Sequence, residues 1–255
     1  MIVLLWAGLG GGPAAAAGCP QASDPEAARL LVAAIERRLP AELPAVLVEI
    51  RDNRGGTRQL LARYRPAAGD RDAGGWTVLV RNGAPVPPGR ARKAAARLAK
   101  DGPPMSAAHI RRYLAGRIVS VRPPGPLSGT KDEKSGRWIL RIAPLGAGSV
   151  VLKGEDLSSS LAAELVVRCR PDEKDAIVER STLSLIAPRR LSWFVVLKDA
   201  HGRQRFGLDA KGHPVLLEEH LEAVVDPLIL PSFRYVFTRI YRDHRFREDP
   251  PDGDS

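Results

Sequence analysis

Residues 45–65 read Ala-Val-Leu-Val-Glu-Ile-Arg-Asp-Asn-Arg-Gly-Gly-Thr-Arg-Gln-Leu-Leu-Ala-Arg-Tyr-Arg. Val46, Val48 and Ile50 alternate with Leu47, Glu49 and Arg51, the period-two pattern of a half-buried strand. Asn53-Arg54-Gly55-Gly56 supplies a turn, after which Leu60, Ala62 and Tyr64 alternate with Leu61, Arg63 and Arg65. Two strands joined this closely pair antiparallel, because a parallel partner needs a crossover of a dozen or so residues. The pattern then repeats. Arg71 to Gly75 turns the chain into Trp76, Val78 and Val80, and Asn82-Gly83 closes that strand. The region is a meander, not a strand–helix–strand unit.

Working outward, the segment from Asp24 to Leu39 carries Ala27, Leu31, Ala34, Ile35 and Leu39 at three- and four-residue spacing. It is an amphipathic helix, started by Ser23-Asp24-Pro25-Glu26 and stopped before Pro40. Downstream, Arg90–Lys100 reads as a second helix, with Arg90, Lys93, Arg97 and Lys100 on its polar face, and Ser106–Leu114 as a short third. Strands are expected at Arg117–Val121, Arg137–Ile142, Ser149–Lys153, Glu164–Arg170, Ala176–Ile186, Ser192–Lys198, Gln204–Leu208 and Phe233–Tyr241. Pro171 to Asp175 and Asp199 to Gly202 read as hairpin turns, and Pro123 to Lys134 as a polar loop. The fold class is therefore α+β, mainly β: a single curved antiparallel sheet or half-open barrel of about 8–11 strands with lid helices. One face is apolar (Trp76, Trp138, Leu140, Leu165, Val167, Leu183, Leu185, Trp193, Val195, Tyr235, Phe237). The other carries Arg63, Arg65, Arg137, Arg141, Arg168 and Arg170.

The chain has 255 residues, with 39 Lys+Arg against 29 Asp+Glu, a formal charge of +10. The isoelectric point is about 10.1 and the mean hydropathy -0.17. Such a balance suits anionic surfaces. Ile2 to Trp6 followed by small residues to Gly18 reads as a secretory signal, which divides the chain into a signal peptide (1–18), one domain (19–247) and an acidic tail (248–255). Ala16-Ala17-Gly18-Cys19 resembles a lipobox, making Cys19 a candidate lipid-attachment site, and Pro20 then implies the outer membrane. A soluble periplasmic product is the other reading. Cys169 follows Leu165 and Val167 on the apolar face and is expected to be buried and inert; a Cys19–Cys169 bridge is open only to a soluble product that retains Cys19, because an acylated thiol cannot also form a disulfide.

No sequence motif points to catalysis or to a cofactor. Gly-x-Ser-x-Gly is missing, and Gly129 to Gly136 lacks the phosphate-loop order. His213 and His220 are seven apart, which matches no zinc spacing. Asp172/Glu173 and Glu218/Glu219 read as solvated carboxylates. Nucleic acid is not an expected partner: only 5% of residues are aromatic and no recognition motif occurs. The chain reads as non-enzymatic.

The exported start, the Asp24–Leu39 helix running into a meander, the Gly75-Trp76-Thr77-Val78-Leu79…Asn82-Gly83 strand before the lid helices, and the closing Phe233-Arg234-Tyr235-Val236-Phe237…Tyr241-Arg242-Asp243-His244-Arg245-Phe246 together resemble the LolA/LolB-type periplasmic lipoprotein carriers. The likeness runs from Ser23 to Phe246; Pro123–Lys134 and Gly146–Ser160 are additional to that pattern. It implies a half-barrel in the cell envelope that binds a lipid or lipoprotein acyl chain. Trp76, Trp138, Trp193, Tyr235 and Phe237 would then line the cavity, and Arg90, Lys93, Arg97 and Lys100 would steer head groups toward it. The alternative is a periplasmic interaction or sensing scaffold without a transported ligand. A cavity of several hundred Å³ favours the carrier, a filled interior with an exposed patch the scaffold.

Overall fold

The computed structural model describes residues 26–53, 58–67, 75–100, 102–125, 136–152, 155–169, 175–227 and 230–246. The expectations for the signal segment, Cys19, the helix start at Ser23–Pro25, Arg170, the greater part of the 123–134 loop and of the 171–175 turn, and the 248–255 tail lie outside those residues.

Helix α1 (Ala27–Arg38) buries Ala27, Leu31, Ala34 and Ile35, the stripe its periodicity predicts. It stops where Leu39 turns extended ahead of Pro40, whose ring disfavours helix in the preceding residue. Then follow β1 (Ala45–Asp52), β2 (Arg58–Arg65), β3 (Gly75–Arg81), the two-residue β4 (Ala84–Pro85) and α2 (Pro88–Lys100). A 3-10 turn (Ala107–His109) runs into α3 (Ile110–Leu114). Strands β5 (Ile118–Gly125) and β6 (Gly136–Ile142) precede a small ribbon of β7 (Val151–Leu152) and β8 (Glu155–Asp156). The rest is β9 (Leu161–Cys169), β10 (Ala176–Leu185), β11 (Arg189–Ser192), β12 (Val195–Leu208), β13 (Pro214–Pro227) and β14 (Phe233–Arg245).

All but the ribbon join one 12-stranded antiparallel sheet, ordered β4-β3-β2-β1-β14-β13-β12-β10-β9-β6-β5, with β11 beside β12. The α+β, mainly β class with a single open antiparallel sheet is thus present. Neighbouring strands in the ladder share faces. Register places Ala62, Val48 and Tyr241 in line on the inner face, and likewise Leu183, Gly202, Leu221 and Phe237. Helix α1 packs on β10 and β5, α2 on β3, and the 3-10 turn ahead of α3 on β13. The core lies between that face and α1 and α3, with Trp138 only 2% exposed and Tyr113 buried. Ion pairs from Arg37 and Arg38 to Asp175, and an Arg38 hydrogen bond to the Gly212 carbonyl, fix the end of α1 over one end of the sheet. Gly146 and Gly116 allow the α3–β5 connection to lie against the 143–146 segment: a Cβ on Gly146 would meet the Arg112 carbonyl oxygen at 2.3 Å, and one on Gly116 that of Pro144 at 2.5 Å.

Three stretches depart from the sequence reading, one of them the expected strand Ser192–Lys198, which the Trp193–Phe194 turn divides between β11 and β12. Asp199 to Gly202 is the middle of the 14-residue β12, not a turn. There the register shifts between Leu197 and Asp199, and Gly202 packs against Leu183 and Leu221, where a side chain would crowd. Pro214–Pro227 is one 14-residue strand, of which the alternation announces only the start.

Candidate functional site

Inward positions on the central strands are apolar except along one row and, beside Phe237, at the Asp52–Arg58 ion pair of β1 and β2. Ser181 on β10 pairs with Gln204 on β12, Gln204 with Glu219 on β13, and Glu219 with Arg239 on β14. Four polar side chains therefore cross four neighbouring strands on the inner face. Apolar rows flank them: Leu183, Leu221 and Phe237 on one side, Phe206, Leu216 and Tyr241 on the other.

Partners reach this row from the helix-covered side. The Tyr241 hydroxyl donates to Glu219 Oε2 at 3.0 Å, and Gln204 Nε2 donates to the Tyr113 hydroxyl of α3 at 3.3 Å. Burial pushes both phenols above their ordinary range, and the Glu219 charge adds to the effect at Tyr241. Arg239 Nη1 lies 3.4 Å from Glu219 Oε2, and its guanidinium carbon sits 4.8 Å from the Phe237 ring centroid. The Arg239 side chain keeps 21% exposure, yet its Nε is buried without a hydrogen-bond partner, as is Ser181 Oγ. A planar guanidinium has five donors; Glu219 and the Tyr241 hydroxyl both interact with it, while its Nε has no hydrogen-bond partner.

Beyond the row the helical cover gives out. Along the inner face of β14, Tyr241 is 3% exposed, Phe237 still buried, Tyr235 intermediate and Phe233 52% exposed. Leu221 and Val225 on β13, and Leu185 and Leu191 beside them, are likewise only partly buried. Leu197, Ala200 and Ala223 stay buried there, so the apolar face opens only as a shallow half-trough along β13 and β14, from Arg239 at its inner end to a rim at Phe233. A depression at the opposite end of the sheet, between Pro44, Met105, Leu216, Tyr241 and His244, holds about 10 Å³, room for about one water.

The expected site residues separate. Tyr235 and Phe237 line the half-trough, with ring centroids 5.7 Å apart. Trp76 is half-buried on the same sheet face but two strands beyond β1, against Tyr64, and its Nε1 donates to the Gly102 carbonyl at 3.0 Å. Trp138 is ordinary core. Trp193 departs from the expectation: it sits in the turn between β11 and β12 at 77% exposure, because the chain turns there instead of continuing a strand from Ser192. Arg90, Lys93, Arg97 and Lys100 are exposed on α2, which buries none of its residues. Glu219 is not solvated as read from its neighbour Glu218 but buried in the polar row.

Cys169 is buried, as expected, but it is disulfide-bonded and not a free thiol. The sequence has one other cysteine, Cys19. His213 caps the β12–β13 turn through Asp209, while His220 meets Thr238 on the outer face, so the structure does not bring the two together. Among the described residues no group of three or more His, Cys, Asp or Glu side chains is placed to hold a metal. Comparison with known proteins returned no matching family model, no matching curated protein and no matching solved structure.

Proposed function

We propose that this chain is a non-catalytic amphiphile-binding protein of the cell envelope, taking the acyl chain of a lipid or of a lipidated protein along the partly exposed inner face of β13 and β14. The observation that carries the reading is the apolar half-trough closed at its inner end by Arg239. Hydrocarbon laid on Leu221, Val225, Tyr235 and Phe237 leaves water, at roughly 25 cal/mol per Å² of apolar surface buried. An anionic or strongly hydrogen-bonding group at its end meets guanidinium donors that Glu219 does not fully engage.

Lysophosphatidylglycerol titrated into the purified chain, followed by native mass spectrometry and calorimetry, tests the proposal. One-to-one binding that weakens about tenfold in Arg239→Met and in Leu221→Glu supports it. A wild-type chain that takes up no lysophosphatidylglycerol under these conditions overturns it. A filled helix-covered end and an exposed aromatic turn at Trp193 favour a second reading, an interaction scaffold on the same fold, which predicts that the chain captures a protein partner and no lipid.

A further inference from the structure

We infer that the rim at the open end of the half-trough is a docking surface for an anionic lipid bilayer. Trp193 (77% exposed) and Phe194, with ring centroids 4.8 Å apart, occupy the β11–β12 turn. Val195 pairs with Pro227, and Val225 with Phe233, so the register sets the β13–β14 connection at the same end of the sheet as that turn. Leu230 in that connection is 65% exposed, and Phe233 also faces solvent. Three large apolar side chains in two adjacent connections and a fourth, Phe233, at the start of β14 are thus exposed at this end of the sheet, where water solvates them at a cost.

The occupant follows from shape and charge. Two of these side chains are the aromatic pair of a two-residue turn and the others flank the neighbouring connection, an arrangement that suits insertion among head groups. Tryptophan beside an apolar loop residue is the pair favoured at a membrane interface, where one edge is wet and the other greasy. Arg189 and Arg190 on β11 are exposed and form no ion pair among the described residues. Lys198 and Arg234 stand nearby but are matched by Asp226 and Glu222. Arg189 is offset in part by Asp156, whereas Arg190 stands unmatched beside the apolar side chains, and a basic residue next to an anionic leaflet attracts it within a Debye length.

This inference deepens the amphiphile-binding reading and rests on it for what the docked protein exchanges: the rim would bring the mouth of the half-trough to the surface holding the amphiphile. The test is flotation of the full chain with mixed phosphatidylglycerol–phosphatidylcholine vesicles and with phosphatidylcholine alone. Wild type floats with the mixed vesicles and releases them as salt rises. Trp193→Ser/Phe194→Ser and Arg189→Glu/Arg190→Glu each weaken vesicle binding roughly tenfold or more, while lysophosphatidylglycerol uptake in solution is unchanged. Rim variants that float like wild type overturn the inference, as does loss of flotation only when the α2 residues Arg90, Lys93, Arg97 and Lys100 are reversed. Absence of flotation by wild type also overturns it, including the case in which the rim instead captures a protein. Loss of lysophosphatidylglycerol uptake with vesicle docking retained would remove the amphiphile reading and leave the docking surface standing.

Discussion

His109 couples the cover of the sheet to pH. Its Nδ1 accepts the Ser106 backbone N–H at 3.1 Å, closing the turn that starts α3, and Ser106 Oγ lies 3.2 Å away. Accepting that bond requires an unprotonated Nδ1. Burial and then the Arg112 charge lower the ring from its ordinary value of 6.5 to about 4. A depressed histidine stabilises the fold above its unfolded value and loses that contribution as pH falls toward the folded one. Between pH 6.5 and about 4 the unfolded chain binds one more proton at this site. At about 1.4 kcal/mol per pH unit, the stability lost is about 3 kcal/mol over that window. His109→Gln keeps an acceptor for the Ser106 N–H and removes the titration. Urea unfolding of both proteins at about pH 7 and about pH 4 measures the difference, in which other groups cancel. Wild type should lose about 3 kcal/mol more than the variant. Equal losses within about 0.5 kcal/mol would refute the account of this turn.

Other outcomes follow from the same structure. Tyr241→Phe removes a buried hydrogen bond to Glu219 and should cost about 1.5–3 kcal/mol in chemical denaturation. In alkaline titration, Tyr113 and Tyr241 hold their protons above the ordinary phenol range, so stability falls as pH rises past about 10 and their tyrosinate absorption develops only with unfolding. Gly146→Ala drives a methyl group into the Arg112 carbonyl and should cost about 1–3 kcal/mol, read as a lower thermal midpoint. Thiol titration of the denatured, unreduced protein should find no free thiol at Cys169, and peptide mapping should join it to Cys19, a pairing that excludes acylation there.

The parts of the fold written in plain alternation were legible. Val46, Val48 and Ile50 face inward as read, and the Leu31, Ala34 and Ile35 stripe of α1 is buried. The middle of β13 was not, and the reason is physical. Glu218, Glu219 and His220 interrupt the apolar period, yet Glu219 points into the core because Tyr241 and Arg239 meet it there. A register shift at Arg205/Phe206 puts both Leu216 and Glu219 inward, so period two fails across it. The same holds for Arg239: its strand neighbours mark position 239 as inward, but a sequence window cannot see that Glu219 stands opposite. Trp193 was misplaced for the converse reason, since an aromatic residue between apolar neighbours reads as strand when nothing local announces the turn.

The placement of β14 between β1 and β13 has a consequence for how the chain acquires its shape. Synthesis proceeds from the N-terminus, so the opening meander waits for a neighbour that arrives some 180 residues later, Asp52 pairing with Phe237. Until those last residues emerge, the early hairpins expose one unsatisfied edge and a wet hydrophobic side. Such long-range pairing slows folding and leaves a sticky intermediate, which puts a premium on a holding chaperone during biogenesis.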